Sequence, residues 1–276
     1  MHRSPLAAFW PRPAVMGVVN VTSDSFSDGG DNAGPIAAVE TALRLFAEGA
    51  ALVDIGGEST RPGASPVPLD EELRRVLPVL EGLAGTPMSV DTSKAEVARR
   101  ALELGVVLVN DVSALRTEPD IAGVIADAGA YVCLMHMQGE PRTMQVAPRY
   151  EDVVGEVVGF LEERLAVAVA AGIPEDNVCL DPGIGFGKTD EQNLALVREL
   201  GRICAIGRPV LVGLSRKSTL ARVLGDPAGR VGSDAASVGA AVAAFDRGAT
   251  LFRVHDVAAH VDALAVAAAI EQGTSS

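Results

Sequence analysis

The sequence is poor in cysteine, aromatics and positive charge, and it has no long apolar run. Only 3 cysteines occur in 276 residues, Cys133, Cys179 and Cys204, and none forms a C-x-x-C pair. So odd and scattered a set excludes a disulfide framework and points to a reducing compartment. Cys133 and Cys179 sit in apolar, strand-like runs and read as buried, inert thiols. With 36 acidic and 23 basic residues the net charge is -13, which argues against a broad nucleic-acid surface, because phosphate backbones demand clustered cations. The acidity reads as a device for solubility, and a small local anion site remains compatible with it. No run approaches the ~18 apolar residues of a membrane span. The opening MHRSPLAAFWPRP lacks a signal-peptide apolar region and is broken by prolines, so a soluble, cytoplasmic protein is expected and the sequon Asn20-Val21-Thr22 has no glycosylation context. No HExxH and no cysteine–histidine cluster suggests a zinc site.

What the chain does have is a regular alternation. Continuously apolar runs at 15–20, 52–56, 88–91, 106–110, 131–136, 178–181, 210–214 and 250–254 read as parallel strands covered by helices. Helical stretches are expected at 35–49, 70–84, 93–104, 150–171, 190–206, 233–247 and 257–271. Pro35 suits a first helical turn, Gly49 a helix end, and Asp70, Glu71 and Glu72 a helix N-terminus. No linker, charge block or short repeat divides the chain, so residues 1–276 read as a single domain with a core at about 14–271 and short tails. The expected fold is an α/β eight-stranded parallel (β/α) barrel, a TIM barrel. A doubly wound open sheet is the runner-up.

Most of the apolar runs end on a polar residue. Asn20, Asp54, Asp91, Asn110, His136 and Asp181 stand there, with Arg253 and His255 closing the last run. Each could cap the next helix, but so many at equivalent places are better explained by one site at the mouth of a barrel. The long loops 22–34 and 57–68, rich in Gly, Ser and Pro, fall on the same side. Two motifs fail on inspection. PGIGFGKT (182–189) has Pro182 where a phosphate-binding P-loop needs glycine, and GLSRK (213–217) has Lys217 where a nucleophile elbow needs its second glycine.

Eight segments resemble dihydropteroate synthases, in that family's order: MGVVNVTSDSFSDGG (16–30), VDIGGESTRPGA (53–64), SVDTSK (89–94), VNDVSA (109–114), LMHMQGEPRTMQ (134–145), LDPGIGFGKT (180–189), GLSRKS (213–218) and RVHDV (253–257). The resemblance implies a pterin-binding type of TIM barrel that is usually a homodimer. It implies a transferase joining 6-hydroxymethyl-7,8-dihydropterin diphosphate to para-aminobenzoate, with Mg2+ assisting, in folate synthesis. It assigns the pterin to Asp91, Asn110, Met135, Asp181, Lys217 and Arg253, and the diphosphate to Asn20, Arg253 and His255, with Asn20 also at the metal. Phe26, Asp28, Thr60, Arg61, Pro62, Phe186 and Ser218 would meet para-aminobenzoate or close loops over it, Asp28 pairing with Arg61. Asp91, Lys217, Arg253 and His255 would be catalytic, and sulfonamides, which mimic para-aminobenzoate, would inhibit. The segments depart from the family at Ser23, where proline is usual, and at Ala114-Leu115, where a glycine-rich continuation is commoner. A catalytically silent pterin binder and a pterin-binding methyltransferase module are the alternatives.

Overall fold

Each of the eight apolar runs forms a strand in the computed structural model, parallel to its neighbours. The structure describes residues 4–21, 33–59, 64–139, 143–229 and 231–273. In chain order the elements are α1 (Leu6–Phe9), β1 (Ala14–Asn20), α2 (Ala33–Ala47), β2 (Leu52–Gly56), α3 (Leu69–Gly82), β3 (Met88–Asp91), α4 (Ala95–Glu103), β4 (Leu108–Asp111), α5 (Ile121–Ala128), β5 (Tyr131–Met135), α6 (Val153–Ala170), β6 (Val178–Asp181), α7 (Asp190–Arg198), α8 (Leu200–Cys204), β7 (Leu211–Val212), α9 (Ser218–Val223), α10 (Asp234–Phe245), β8 (Leu251–Val254) and α11 (Val257–Gln272).

The strand order β6-β5-β4-β3-β2-β1-β8-β7 leaves β6 and β7 at the two ends. Those ends meet. Leu180 bridges Val210, and the Leu180 N–H donates to the Pro209 carbonyl at 2.9 Å. The sheet therefore curls into a nearly closed barrel, and the open doubly wound alternative is excluded. The seam is thin because β7 is two residues long instead of the expected 210–214: Gly213 leaves the ladder, and the chain turns, with the Lys217 N–H reaching the Leu214 carbonyl at 3.2 Å.

Helix ends follow local chemistry. Asp152, Ser233 and Asp256 cap α6, α10 and α11 by accepting from the third backbone N–H beyond them, and Thr189 with Gln192 forms a reciprocal capping box on α7. The expected helix at 190–206 is broken at Glu199 (φ -106, ψ 22) into α7 and α8. Helices α1, α5 and α9 were not expected. Each is eight residues or shorter, too short for a 3.6-residue periodicity to stand out.

The core has two compartments. Strand residues such as Val53, Val90, Val109 and Leu180 face outward into the helices. Their alternates Met16, Leu52, Leu108, Tyr131, Cys133, Cys179, Leu211 and Leu251 fill the barrel interior together with Leu6 and Trp10 of the α1 segment. Each such side chain contributes roughly 1.5–3 kcal/mol when fully buried. The α1 segment stops the N-terminal end of the barrel, where the Tyr131 hydroxyl donates to the Ser4 carbonyl at 2.7 Å. Two residues further along the same inner face the chemistry changes. Leu52 is followed by Asp54, Leu108 by Asn110, Cys179 by Asp181 and Leu251 by Arg253. An apolar lower layer under a polar upper layer puts the functional surface at the C-terminal mouth.

Candidate active site

The polar layer is organised around Asp54. Its carboxylate is fully buried and accepts from Ser89 Oγ at 2.5 Å, Asn110 Nδ2 at 3.0 Å and Arg253 Nε at 2.6 Å. The second edge of Arg253 donates from Nη2 to Asp91 Oδ2 at 2.9 Å. Register makes these contacts possible: Asp91 lies opposite Gly56 on one side and Asn110 on the other. With its amide nitrogen held by Asp54, Asn110 turns its carbonyl oxygen to the remaining space. Burial pushes the Asp91 carboxyl up to about 7, against the pull of Arg253 and with help from the negative charges of Asp54, Glu72 and Asp111. Gly56 leaves room beside this cluster. A Cβ there would sit 3.5 Å from Asp91 Cβ and 3.8 Å from the amide oxygen of Asn20, the exposed last residue of β1.

Asp181 is the second buried carboxylate of the mouth. It ends β6 opposite Met135, and its Oδ1 accepts from the Gly183 N–H at 2.7 Å. Burial raises it to about 6, opposed by that hydrogen bond and by the charges of Lys217, Lys188 and Arg253. Met135 belongs to a small separate apolar cluster with Val112, Met137 and Met144, and Phe186 packs against it. Lys217 crosses the same region. Its Nζ stands 4.2 Å from the centre of the Phe186 ring, a cation–π geometry, and its stem lies on Gly185.

The turn 215–218 sends successive side chains three ways. Ser215 Oγ accepts from the His255 N–H at 3.1 Å and lies 3.0 Å from His255 Nδ1. Arg216, in the left-handed region at φ 58, turns outward to Asp234 at 2.8 Å. Lys217 and the half-buried Ser218 open the short helix α9.

Of the expected residues, the structure thus gathers Asn20, Asp91, Asn110, Met135, Asp181, Phe186, Lys217, Ser218, Arg253 and His255 around one mouth. Phe26, Asp28, Thr60, Arg61 and Pro62 lie outside the described residues. His136 does not join the cluster. Met135 takes the inner face, so its neighbour points outward, edge-on to Phe160 at 4.8 Å.

Two groups of supporting residues escaped the sequence reading. One anchors the start of the second loop: Arg75 Nη1 donates to the Gly57 carbonyl at 2.8 Å, Lys94 Nζ pairs with Glu58 at 2.5 Å and with Glu72, and Thr92 Oγ1 donates to Glu72 at 2.7 Å. The other is Lys188. Lys94 and Lys188 both stand inside family-like segments, SVDTSK and GFGKT, a signal that could have found them.

The model of the pterin binding enzyme family matches residues 16–255. The dihydropteroate synthase of Escherichia coli (strain K12) is 45% identical over 258 residues, covering 92% of this chain and 90% of that protein. The chain belongs to the dihydropteroate synthase family. Solved structures extend the likeness. The Xanthomonas albilineans dihydropteroate synthase with 4-aminobenzoic acid is 51% identical, with a TM-score of 0.87 over 95% of this chain and 94% of that one. The same organism's enzyme in complex with 7,8-dihydropteroate is 48% identical, with a TM-score of 0.83 over 95% of each chain. As a member of the dihydropteroate synthase family the chain is a transferase with a pterin-binding TIM barrel.

Proposed function

We propose that this chain condenses 6-hydroxymethyl-7,8-dihydropterin diphosphate with para-aminobenzoate to give 7,8-dihydropteroate and diphosphate, in folate biosynthesis, by a dissociative displacement. The observation that carries the reading is the buried Asp181 carboxylate at the mouth, within the field of Lys217 and Arg253. A pterin presents an amino group and a ring N–H side by side, and an ionised carboxylate accepts both. Asp91 and the carbonyl oxygen of Asn110 read other ring edges, Lys217 donates to the ring carbonyl or ring nitrogen, and Met135 packs on the ring.

Arg253, His255 and Asn20 take the diphosphate end. Among the described residues, no group of three His, Cys, Asp or Glu side chains could hold a metal. The neutral amide oxygen of Asn20, beside Gly56 and Asp91, is the group that would hold a Mg2+ brought with the diphosphate. Such an ion would supply neutralisation of the diphosphate charge. As the C–O bond breaks, its electron pair leaves with the diphosphate, and Arg253 and His255 stabilise the charge growing on that oxygen. The methylene cation left behind is conjugated with the pterin and lies in the field of Asp91. The amine lone pair of para-aminobenzoate then forms the C–N bond, and the nitrogen gives its proton to the released diphosphate. Phe186 and Ser218 hold that substrate, with Phe26, Asp28, Thr60, Arg61 and Pro62 closing loops over it and keeping out water that would trap the cation.

A homodimer is part of the proposal, supported by apolar Val266 and Ile270 exposed on α11, and light scattering of the purified protein tests it. The three unpaired cysteines suit a cytoplasmic setting, and no described helix is long and apolar enough to cross a membrane. Sulfonamides should compete with para-aminobenzoate. The deciding assay mixes protein, Mg2+, para-aminobenzoate and the dihydropterin diphosphate. Diphosphate release that depends on para-aminobenzoate is the expected result, and no release, or release indifferent to the amine, would reject the synthase reading.

A further inference from the structure

The segment 182–189, which imitates a phosphate loop, enters the mechanism above only through Phe186, yet it also contains a buried lysine. Lys188 is 2% exposed. Its Nζ lies 3.0 Å from the Gly183 carbonyl, 3.0 Å from the Phe186 carbonyl and 2.8 Å from His136 Nδ1. An ammonium has three protons, and these three near acceptors take them when His136 carries its own proton on Nε2, with the His136 carbonyl a longer fourth contact at 3.4 Å. His136 is itself fixed, edge-on to Phe160 of α6. Burial pushes Lys188 down to about 7 and the charge of Asp181 holds it up, so an ammonium persists here only with its hydrogen bonds made, and through them the lysine grips both the turn and the end of β5.

The turn it grips is built for close approach. Gly183, Gly185 and Gly187 have φ of 66, 82 and 63, and a Cβ at Gly183 or Gly187 would lie 1.8 Å from the His136 carbonyl oxygen or 2.5 Å from that of Gln138. Its inner side carries the groups assigned to the pterin. The Gly183 N–H holds Asp181 Oδ1, while Gly185 and the Phe186 ring support Lys217.

We propose that Lys188 is a positioning residue of the pterin pocket: its buried ammonium pins the Gly183–Gly187 turn against the end of β5 and so fixes Asp181 and the Lys217–Phe186 pair at the spacing a dihydropterin needs. The proposal rests on the pterin reading of this mouth. The segment resembles a phosphate loop turned inside out, its lysine serving the loop's own carbonyls in place of a nucleotide.

The test is Lys188→Met, with binding of the dihydropterin diphosphate in the presence of Mg2+ measured by calorimetry. The dissociation constant should rise at least tenfold. In steady state the KM for that substrate should rise in step and by more than kcat falls, because Asn20, Arg253 and His255 are not carried by the turn, although Lys217 leans on it. Leu264→Ala, in a buried position of α11 near the closed end of the barrel, supplies a comparable loss of thermal stability with affinity unchanged. If Lys188→Met behaves like it, losing kcat through a smaller active fraction at unchanged KM, the proposal is overturned. Should Lys188→Met not fold, His136→Phe keeps the edge-on packing and removes one acceptor. A two- to fivefold loss of affinity there supports the clamp, and unchanged affinity rejects it. Asp181→Asn separates the two layers of argument: if it too leaves pterin binding intact, the pocket reading has failed, whereas loss with Asp181→Asn alone refutes only the role of Lys188.

Discussion

Arg253 and Asp91 are joined by one hydrogen bond of 2.9 Å, and the guanidinium has a second carboxylate, Asp54, on its other edge at 2.6 Å. The arginine is therefore structural as well as chemical. Arg253→Met strands two buried carboxylates, and breaking such a pair costs on the order of 3–5 kcal/mol. The loss should shrink as the pH falls. Burial already lifts Asp91 to about 7, and removing its cation lifts it further, so as the pH falls from 8 toward 6 the folded variant holds this proton more firmly than the folded parent and its deficit narrows. Urea unfolding at both pH values checks this, and an equal deficit at each would refute it.

Asp181 offers stability and function in opposition. Its carboxyl is raised from 3.8 to about 6, chiefly by burial, so between those values the folded state binds more protons than the unfolded one and stability falls as pH rises. Asp181→Asn resembles the protonated acid. It should match the parent at pH 4 and exceed its stability at pH 8 by an amount on the order of 3 kcal/mol. Pterin binding should collapse in the same variant, since an amide cannot accept the paired N–H groups. A variant no more stable at pH 8 than the parent would show that the cations of the mouth fully offset the burial.

Ser215 sets the ring of His255. A hydroxyl that already accepts the His255 N–H has its own proton to give Nδ1, which places the neutral imidazole's proton on Nε2. Ser215→Ala removes that control. A lost hydrogen bond to a charged ligand is worth about 1.5 kcal/mol or more, so the KM for the dihydropterin diphosphate should rise roughly tenfold. The KM for para-aminobenzoate should stay unchanged. Equal effects on both substrates would place His255 elsewhere in the reaction.

Ala114 and Leu115 occupy the left-handed region, at φ 52 and 64, which glycine enters without steric penalty. The Asp111 carboxylate holds them there by accepting from the Ser113 and Leu115 N–H groups at 2.8 and 2.6 Å, and Arg164 Nε donates to the Ala114 carbonyl at 2.8 Å. This explains why the departure from the glycine-rich family pattern is tolerated. Ala114→Gly should relieve strain of about 1–2 kcal/mol, partly offset by glycine's entropy, for a net gain of about 0.5–1 kcal/mol in thermal or denaturant unfolding. A loss would mean that the buried methyl matters more than the backbone.

The barrel was legible in the sequence because several inner strand faces bury apolar residues and then end on one polar residue, as Leu52 gives way to Asp54 and Cys179 to Asp181. The two residues at a strand's end could not be told apart. Met135 and His136 both looked available, and only the pleat sends the methionine inward and the histidine outward. Asp54 read as one more strand-end carboxylate, since a hub is defined by its partners, and Ser89, Asn110 and Arg253 come from three other strands. Helix α5 and the thin seam at β7 eluded the reading for a different reason: eight residues containing Gly123, and two residues before Gly213, are too few for periodicity to act on. Lys188 sat in a motif rejected for nucleotides, and its inward turn depends on the carbonyls of its own loop.

The stopper of Leu6 and Trp10 gives the barrel a dead end, so both substrates share a single doorway. Asp181 sits deep in that passage and Ser218 at its lip. With Asp181 taking the heterocycle and Ser218 the aromatic amine, as proposed above, the heterocycle enters first and a molecule lodged at the lip bars its way. An amine mimic added first should slow pterin entry, while one added second should trap the pterin already inside.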